Sequence, residues 1–185
     1  MDLLEQALAK HCAPVLLGAK AANLVAVDVD KVPALTARVQ QLRWQLAGCG
    51  LEFTVLCCCK RRGLLLVYRP AALARRLQRD RHVLARFGYA QNGTLQEHLQ
   101  RLQDRLRRGK GFPHEIGLFL DYPTEDVLGF VEKGGSACKL CGYWKVYGDV
   151  KAAKERFARF DACRQRLCRG MEQGVPLVHM VRADG

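Results

Sequence analysis

The sequence contains no apolar stretch approaching the ~18 consecutive residues that a membrane-crossing helix needs. Its opening residues, Met1-Asp2-Leu3-Leu4-Glu5, carry neither the basic start nor the apolar run of a secretory signal. Both absences argue against membrane and export classes, so a cytoplasmic protein with no membrane partner is expected. Acid is scarce beside base: eighteen Asp and Glu stand against thirty Lys and Arg, a net charge of +12. Such an excess favours anionic partners, whether nucleic acid, a phosphorylated small molecule or an acidic protein. Yet the motifs of nucleic-acid binders are missing: there is no zinc-finger spacing, no RNP-like aromatic pair and no GxxG clamp in context. Gly18-Ala19-Lys20 and Gly109-Lys110-Gly111 could touch a phosphate, but neither is a P-loop, which needs G-x4-G-K-[ST] before a helix. Also absent are internal repeats and any linker rich enough to divide the chain, so one domain over residues 1–185 is expected.

Cysteine, by contrast, is plentiful. The chain has nine, an odd number, and Cys57, Cys58 and Cys59 are consecutive. In a reducing compartment they stay thiols, packed as small hydrophobes or used as ligands and redox groups. On a strand Cys57 and Cys59 share one face and Cys58 takes the other, a poor arrangement for a disulfide. Cys138-Lys139-Leu140-Cys141 has the C-x2-C spacing of half a zinc site or of a redox pair. No second C-x2-C or H-x3-H lies nearby, and Cys163 and Cys168 would complete the site only if the last helix folded back. Neighbouring Lys139 and Lys145 would favour a thiolate. A metal ion at Cys138 and Cys141, a thiol redox site, or neither, all stay open at this point.

Periodicity supplies the elements. Residues 2–10 predict a short helix, and Asn23–Val27 a buried strand. Leu35, Val39, Leu42 and Leu46 recur at helical spacing, with Pro33 before them and Gly48 and Gly50 beyond. Leu51–Cys59 and Leu64–Tyr68, separated by Lys60-Arg61-Arg62-Gly63, predict a β-hairpin. Pro70 opens a helix carrying Leu73 and Leu77, Asp80 is placed to cap another, and Thr94-Leu95-Gln96-Glu97 is a capping box. The apolar run Ile116–Leu120 predicts a core strand, Pro123 starts a helix through about Glu132, and Tyr143–Tyr147 predicts a strand. Asp149 is a good N-cap for the last long helix. The expected fold class is α/β, with α+β as the variant: a mixed sheet of about five strands, begun by an early hairpin and covered by helices.

Chemistry-bearing residues concentrate between Phe112 and Asp149. His114 could serve as a general base or ligand near neutral pH, and Glu115 could orient it, although neighbours on a strand face opposite ways. Asp121, Glu125 and Asp126 could gather a divalent cation, but acidic residues in a first helical turn more simply complement the helix dipole. Basic residues cluster at Lys60–Arg62, Arg75–Arg86, Arg101–Lys110 and Lys151–Arg159. Along helices these read as solvated faces unless two of them share one side.

The run Phe112-Pro113-His114-Glu115-Ile116-Gly117-Leu118-Phe119-Leu120-Asp121-Tyr122-Pro123, continuing to Asp126-Val127 and Gly129-Phe130, resembles the signature of a bacterial domain family of unknown function found mostly in anaerobes. Cys12-Ala13-Pro14 with Gly18 and Lys20, Leu66-Val67-Tyr68-Arg69-Pro70, and Trp144-Lys145-Val146-Tyr147 fit the same resemblance, which spans nearly the whole chain. It implies one full-length domain in a bacterial cytosol and brings no catalytic residues with it. The Cys57–Cys59 triplet and Cys168 do not match its pattern.

Three functional readings follow. The first is a small-molecule site, binding or catalytic, with His114 and Glu115 as acid–base groups. In it Lys20, Arg69, Lys145 and Tyr147 hold an anionic ligand, and Cys12 or Cys141 adds thiol or metal chemistry. The second is a regulatory or protein-interaction module in which the polar motif is structural. The third is a nucleic-acid-binding protein using the basic helices. Oligomeric state is not legible.

Overall fold

A computed structural model describes residues 2–59, 61–108 and 111–183. The chain forms two compact units, Met1–Pro70 with Phe160–Gly185, and Ala71–Arg159.

In the first unit, helices α1 (Leu3–His11) and α2 (Ala13–Leu16) precede strand β1 (Ala22–Asp28). Helix α3 (Leu35–Gln45) then leads to β2 (Glu52–Cys59) and β3 (Arg62–Tyr68). Asp2 caps α1 by accepting from Leu4 N at 2.8 Å. The three strands form an antiparallel sheet in the order β1-β3-β2, with Val25 opposite Leu65 and Phe53 opposite Val67. The first strand and the two hairpin strands form close to where their apolar runs place them, β3 beginning at Arg62 rather than Leu64, and a bulge at Leu56 interrupts β2. One sheet face buries Val25, Val27, Phe53, Leu65 and Val67 against Leu4, Leu8, Leu35, Val39 and Leu42 of the helices. Leu167, Leu177 and Val181 from the C-terminal helices complete this core.

In the second unit α4 (Pro70–Arg79), α5 (Arg81–Ala85) and α6 (Leu95–Arg108) precede α7 (Ile116–Phe119) and α8 (Thr124–Lys133). A two-stranded antiparallel ribbon follows, β4 (Leu140–Cys141) and β5 (Lys145–Val146). Helix α9 (Val150–Glu172) supplies residues to both units, and α10 (Leu177–Arg182) belongs to the first. The capping box closes as expected, Thr94 N donating to Glu97 Oε2 at 2.7 Å and Glu97 N to Thr94 Oγ1 at 3.3 Å. Asp149 Oδ1 likewise accepts from Lys151 N and Ala152 N at 2.8 and 3.0 Å, capping α9. Among the described residues no helix is long and apolar enough to cross a membrane.

Four expectations are corrected. The strands number five among the described residues, but they divide into an antiparallel sheet of three and a ribbon of two, not one mixed sheet. Ile116–Leu120 is not a strand: its core is α7, nucleated by Ile116 N to Pro113 O and Gly117 N to His114 O. A five-residue apolar run buried on every side has no period to distinguish strand from helix, so its neighbours decide. The turn after Pro113 starts a helix, and Asp121, at φ 58°, ends it. Tyr143–Tyr147 contributes only Lys145–Val146 to a strand, because its ladder partner among the described residues is the two-residue β4. Asp80 does not cap α5 with its side chain. It pairs instead with Arg76 Nε at 2.9 Å and accepts from Thr124 Oγ1 at 2.8 Å.

Candidate functional site

Beside α7 and α8 the second unit encloses a cavity of about 310 Å³. Ile116, Leu120 and Val127 give its aliphatic wall, Phe130, Tyr122 and Trp144 its aromatic one. The wall is close-packed because Gly117 lets α7 approach α8: a Cβ there would meet Val127 Cγ2 at 2.7 Å. Tyr122 and Trp144 stack at 5.0 Å with 26° between their planes, and Phe157 of α9 meets Trp144 edge-on at 4.5 Å. Arg156 lies over the Trp144 ring, 5.1 Å from its centre, and donates to Asp121 O at 2.6 Å. Burial pushes the Tyr122 phenol up to about 12, so it remains protonated at neutral pH.

Asp126 holds this wall in place. Its Oδ2 accepts from Trp144 Nε1 at 2.6 Å, and its Oδ1 accepts from Tyr147 N and Gly148 N at 2.6 and 2.7 Å. The carboxylate is 2% exposed. The dipole reading of the acidic run therefore omits its main role, which is to tie the β5 segment to α8. The trace in the sequence is a carboxylate in a first helical turn and a single Trp in a downstream ribbon, which spacing alone does not join. Tyr122, Phe130 and Trp144 also line the site, and the sequence signals them only through the aromatic density of the segment.

Besides the bonded Asp126 carboxylate, His114 and Lys145 line this cavity. His114 is exposed and packs edge-on against Phe130 at 5.0 Å. Lys145 Nζ donates to Gly135 O at 2.5 Å and lies 5.9 Å from the Phe130 ring. Its partners among the described residues are thus a carbonyl and a ring, which leave its full charge uncompensated.

The other expected site residues lie elsewhere. Glu115, one residue from His114, is 1% exposed and does not line the cavity. It pairs with Arg105 Nε at 2.5 Å and accepts from Tyr89 OH at 3.1 Å. Burial, with the adjacent Glu115 charge, raises the Tyr89 phenol well above its ordinary range. The helical turn separates the two neighbours into an exposed imidazole and a buried carboxylate. Tyr147 is buried against Gly129, where a Cβ would come within 2.6 Å of its ring. Its hydroxyl has no hydrogen-bond partner among the described residues. Desolvation, then Cys138 and Asp126, raises its pKa.

Cys138 is half-buried and Cys141 exposed on β4, both as free thiols. Among the described residues no three His, Cys, Asp or Glu side chains converge to hold a metal ion. Lys20, Arg69 and Cys12 belong to the first unit. Arg69 donates to Val15 O, Leu16 O and Cys49 O at 2.9, 3.0 and 3.2 Å, closing two backbone turns. Lys20 is buried with its ammonium 5.5 Å from the Phe160 ring. Burial lifts the Cys12 thiol to about 12, against a smaller opposing pull from Lys20, so it is inert at neutral pH. Lys60 and the Gly109-Lys110 pair lie outside the described residues.

A family model described as a protein of unknown function, DUF3793, matches residues 8–181. The chain belongs to this family. No curated protein and no solved structure matches it. The match takes in residues of both units of this DUF3793 chain, from within α1 to within α10, the cavity-lining segment included. The resemblance carried by the Phe112–Phe130 signature led to the same kind of assignment, a family of unknown function.

Proposed function

We propose that this DUF3793 protein binds a small, flat, largely apolar molecule bearing one anionic group, in the cavity beside α7 and α8. The observation that carries the reading is the Lys145 ammonium, without a carboxylate partner among the described residues, at a mainly apolar and aromatic cavity whose one lining carboxylate, Asp126, is already taken up by Trp144 Nε1, Tyr147 N and Gly148 N. One of its three N–H donors is used by Gly135 O, so the remaining two meet the ligand's anion. His114 supplies a further donor, and the stacked Tyr122–Trp144 pair offers a flat apolar surface. The size suits a one- or two-ring molecule, at the small end of ligand pockets. Among the described residues no Ser, Thr or Cys lines the cavity, and Glu115 is held by Arg105, so the role assigned is binding.

The test uses the protein's own reporter. Of the two tryptophans, Trp44 is 79% exposed, and replacing it by Phe leaves Trp144 in the cavity wall as the sole indole. Titration with 2-naphthoate should quench Trp144 emission saturably. The isosteric 2-naphthamide should bind at least ~10-fold more weakly, as expected for loss of a charge-assisted hydrogen bond of ~1.5 kcal/mol or more. Lys145→Met should abolish the preference for the carboxylate. Equal affinity for both probes, or no quenching by either, would overturn the proposal.

A further inference from the structure

Of the two edges of the three-stranded sheet, one is blunted and the other is not. Strand β2 carries the bulge at Leu56. Strand β1, Ala22-Asn23-Leu24-Val25-Ala26-Val27-Asp28, has no bulge, proline or lysine, the devices that usually protect an edge. Arg69 N donates to Ala21 O, and Val29 N to Arg61 O, so the odd-numbered residues of this stretch turn their backbone groups toward β3. By strand alternation Leu24 and Ala26 present theirs to the outer edge. Among the described residues neither N–H nor C=O of Leu24 or Ala26 has a further partner, and Ala26 is exposed.

An open groove runs along this edge, lined by Leu24, Ala26 and Asp28, with His11 at the end of α1 and Arg61 and Arg62 at the hairpin turn. Its surroundings are basic. Burial, then Lys10 and Arg164, depress the His11 imidazole's proton affinity, Arg164 being itself paired with Asp161 at 2.9 Å. Arg61 pairs with Asp30, whereas Arg62, opposite Asp28 in the β1–β3 register, makes no ion pair among the described residues. Asp28 is the acidic group in the groove itself. A second copy would bring the same basic rim against this one, so like-charge repulsion disfavours edge-to-edge self-pairing.

We propose that β1 is a strand-addition site, which takes an extended acidic peptide segment of a partner protein as a fourth strand. Leu24 and Ala26 supply the backbone ladder, the Arg62 guanidinium receives an acidic side chain, His11 offers a neutral imidazole N–H, and the apolar strand faces receive the alternate residues. This rests on the first unit alone and is independent of the ligand cavity.

The probe is fluorescein-labelled acetyl-Glu-Val-Glu-Val-Glu-amide, titrated with the full chain and read by anisotropy. It should bind saturably, the Lys-Val-Lys-Val-Lys analogue should bind at least ten-fold more weakly, and Arg62→Glu should erase that difference. N-methylation of the peptide amides of one alternate set should abolish binding, while methylation of the other set should spare it, because only one set faces the ladder. Ala26→Pro removes an outward N–H from an edge position that tolerates proline, and should abolish binding with the circular dichroism unchanged. If that variant does not fold, the methylated peptides decide alone. No saturation at millimolar peptide, equal tolerance of both methylated sets, or self-association that Ala26→Pro removes would each overturn the proposal.

Discussion

Removing the Asp126 carboxylate is the perturbation whose size the structure defines best. In Asp126→Ala, Trp144 Nε1, Tyr147 N and Gly148 N lose their acceptor together, at a position 2% exposed. Each buried donor left unsatisfied costs ~1–3 kcal/mol, and since the three share one acceptor a total of about 3–5 kcal/mol is expected. That is a large fraction of a typical folding free energy of ~5–15 kcal/mol. Asp126→Asn keeps an oxygen for the two backbone amides but turns an NH2 toward the indole N–H, so an intermediate loss of ~2 kcal/mol is expected. Adding Trp144→Phe to Asp126→Asn removes the opposed donor and should cost less than the two single changes summed. The assay is urea denaturation, followed by near-ultraviolet circular dichroism. Exposed Glu132 on the same helix, replaced by Ala, is the control. If Asp126→Ala fell within ~0.5 kcal/mol of that control, the range of ordinary surface changes, the role given to Asp126 would be refuted. Naphthoate binding should fail in Asp126→Ala at urea concentrations where the variant is still folded, since the wall it holds is the ligand's stacking surface.

Three further outcomes are expected. Arg105→Met should destabilise by ~3 kcal/mol or more by leaving Glu115 buried and uncompensated, and adding Glu115→Gln should recover part of that loss in the same denaturation assay. Gly129→Ala should gain ~1 kcal/mol of helix propensity but lose more than that by overpacking Tyr147, for a net fall in Tm seen by calorimetry. The Cys12 thiol sits at about 12 when folded against an ordinary 9.0, so its contribution is complete below pH 9.0 and is lost as pH rises toward about 12. Tm should therefore fall with pH more steeply above 9 in the wild type than in Cys12→Ala, and a parallel slope in the two proteins would contradict this assignment.

The early hairpin and the helices with clear caps were legible because their signals are local. Thr94 and Glu97 meet within one turn, Asp149 reaches amides two and three residues on, and the apolar, β-branched run Asn23–Val27 needs only the strand itself. The run Ile116–Leu120 was not legible, since an apolar stretch without polar punctuation reads the same for a buried helix and a buried strand. The division into two small antiparallel sheets was equally hidden, because pairing partners are a property of the folded chain.

The chemistry divides along the same line. Sequence alone determined that the distinctive polar and aromatic residues gather between Phe112 and Asp149, that the charge is strongly positive and that no membrane-spanning run exists. Only tertiary structure decided which of two adjacent residues, His114 or Glu115, faces solvent, and that Arg69 spends its guanidinium on three backbone carbonyls. It alone decided that Asp126 anchors a ribbon about twenty residues away. The physical reason is one of range. Caps, turns and alternation are settled by bonds within a few residues, whereas burial, ion pairing and the walls of a cavity depend on which distant side chains arrive to remove the water.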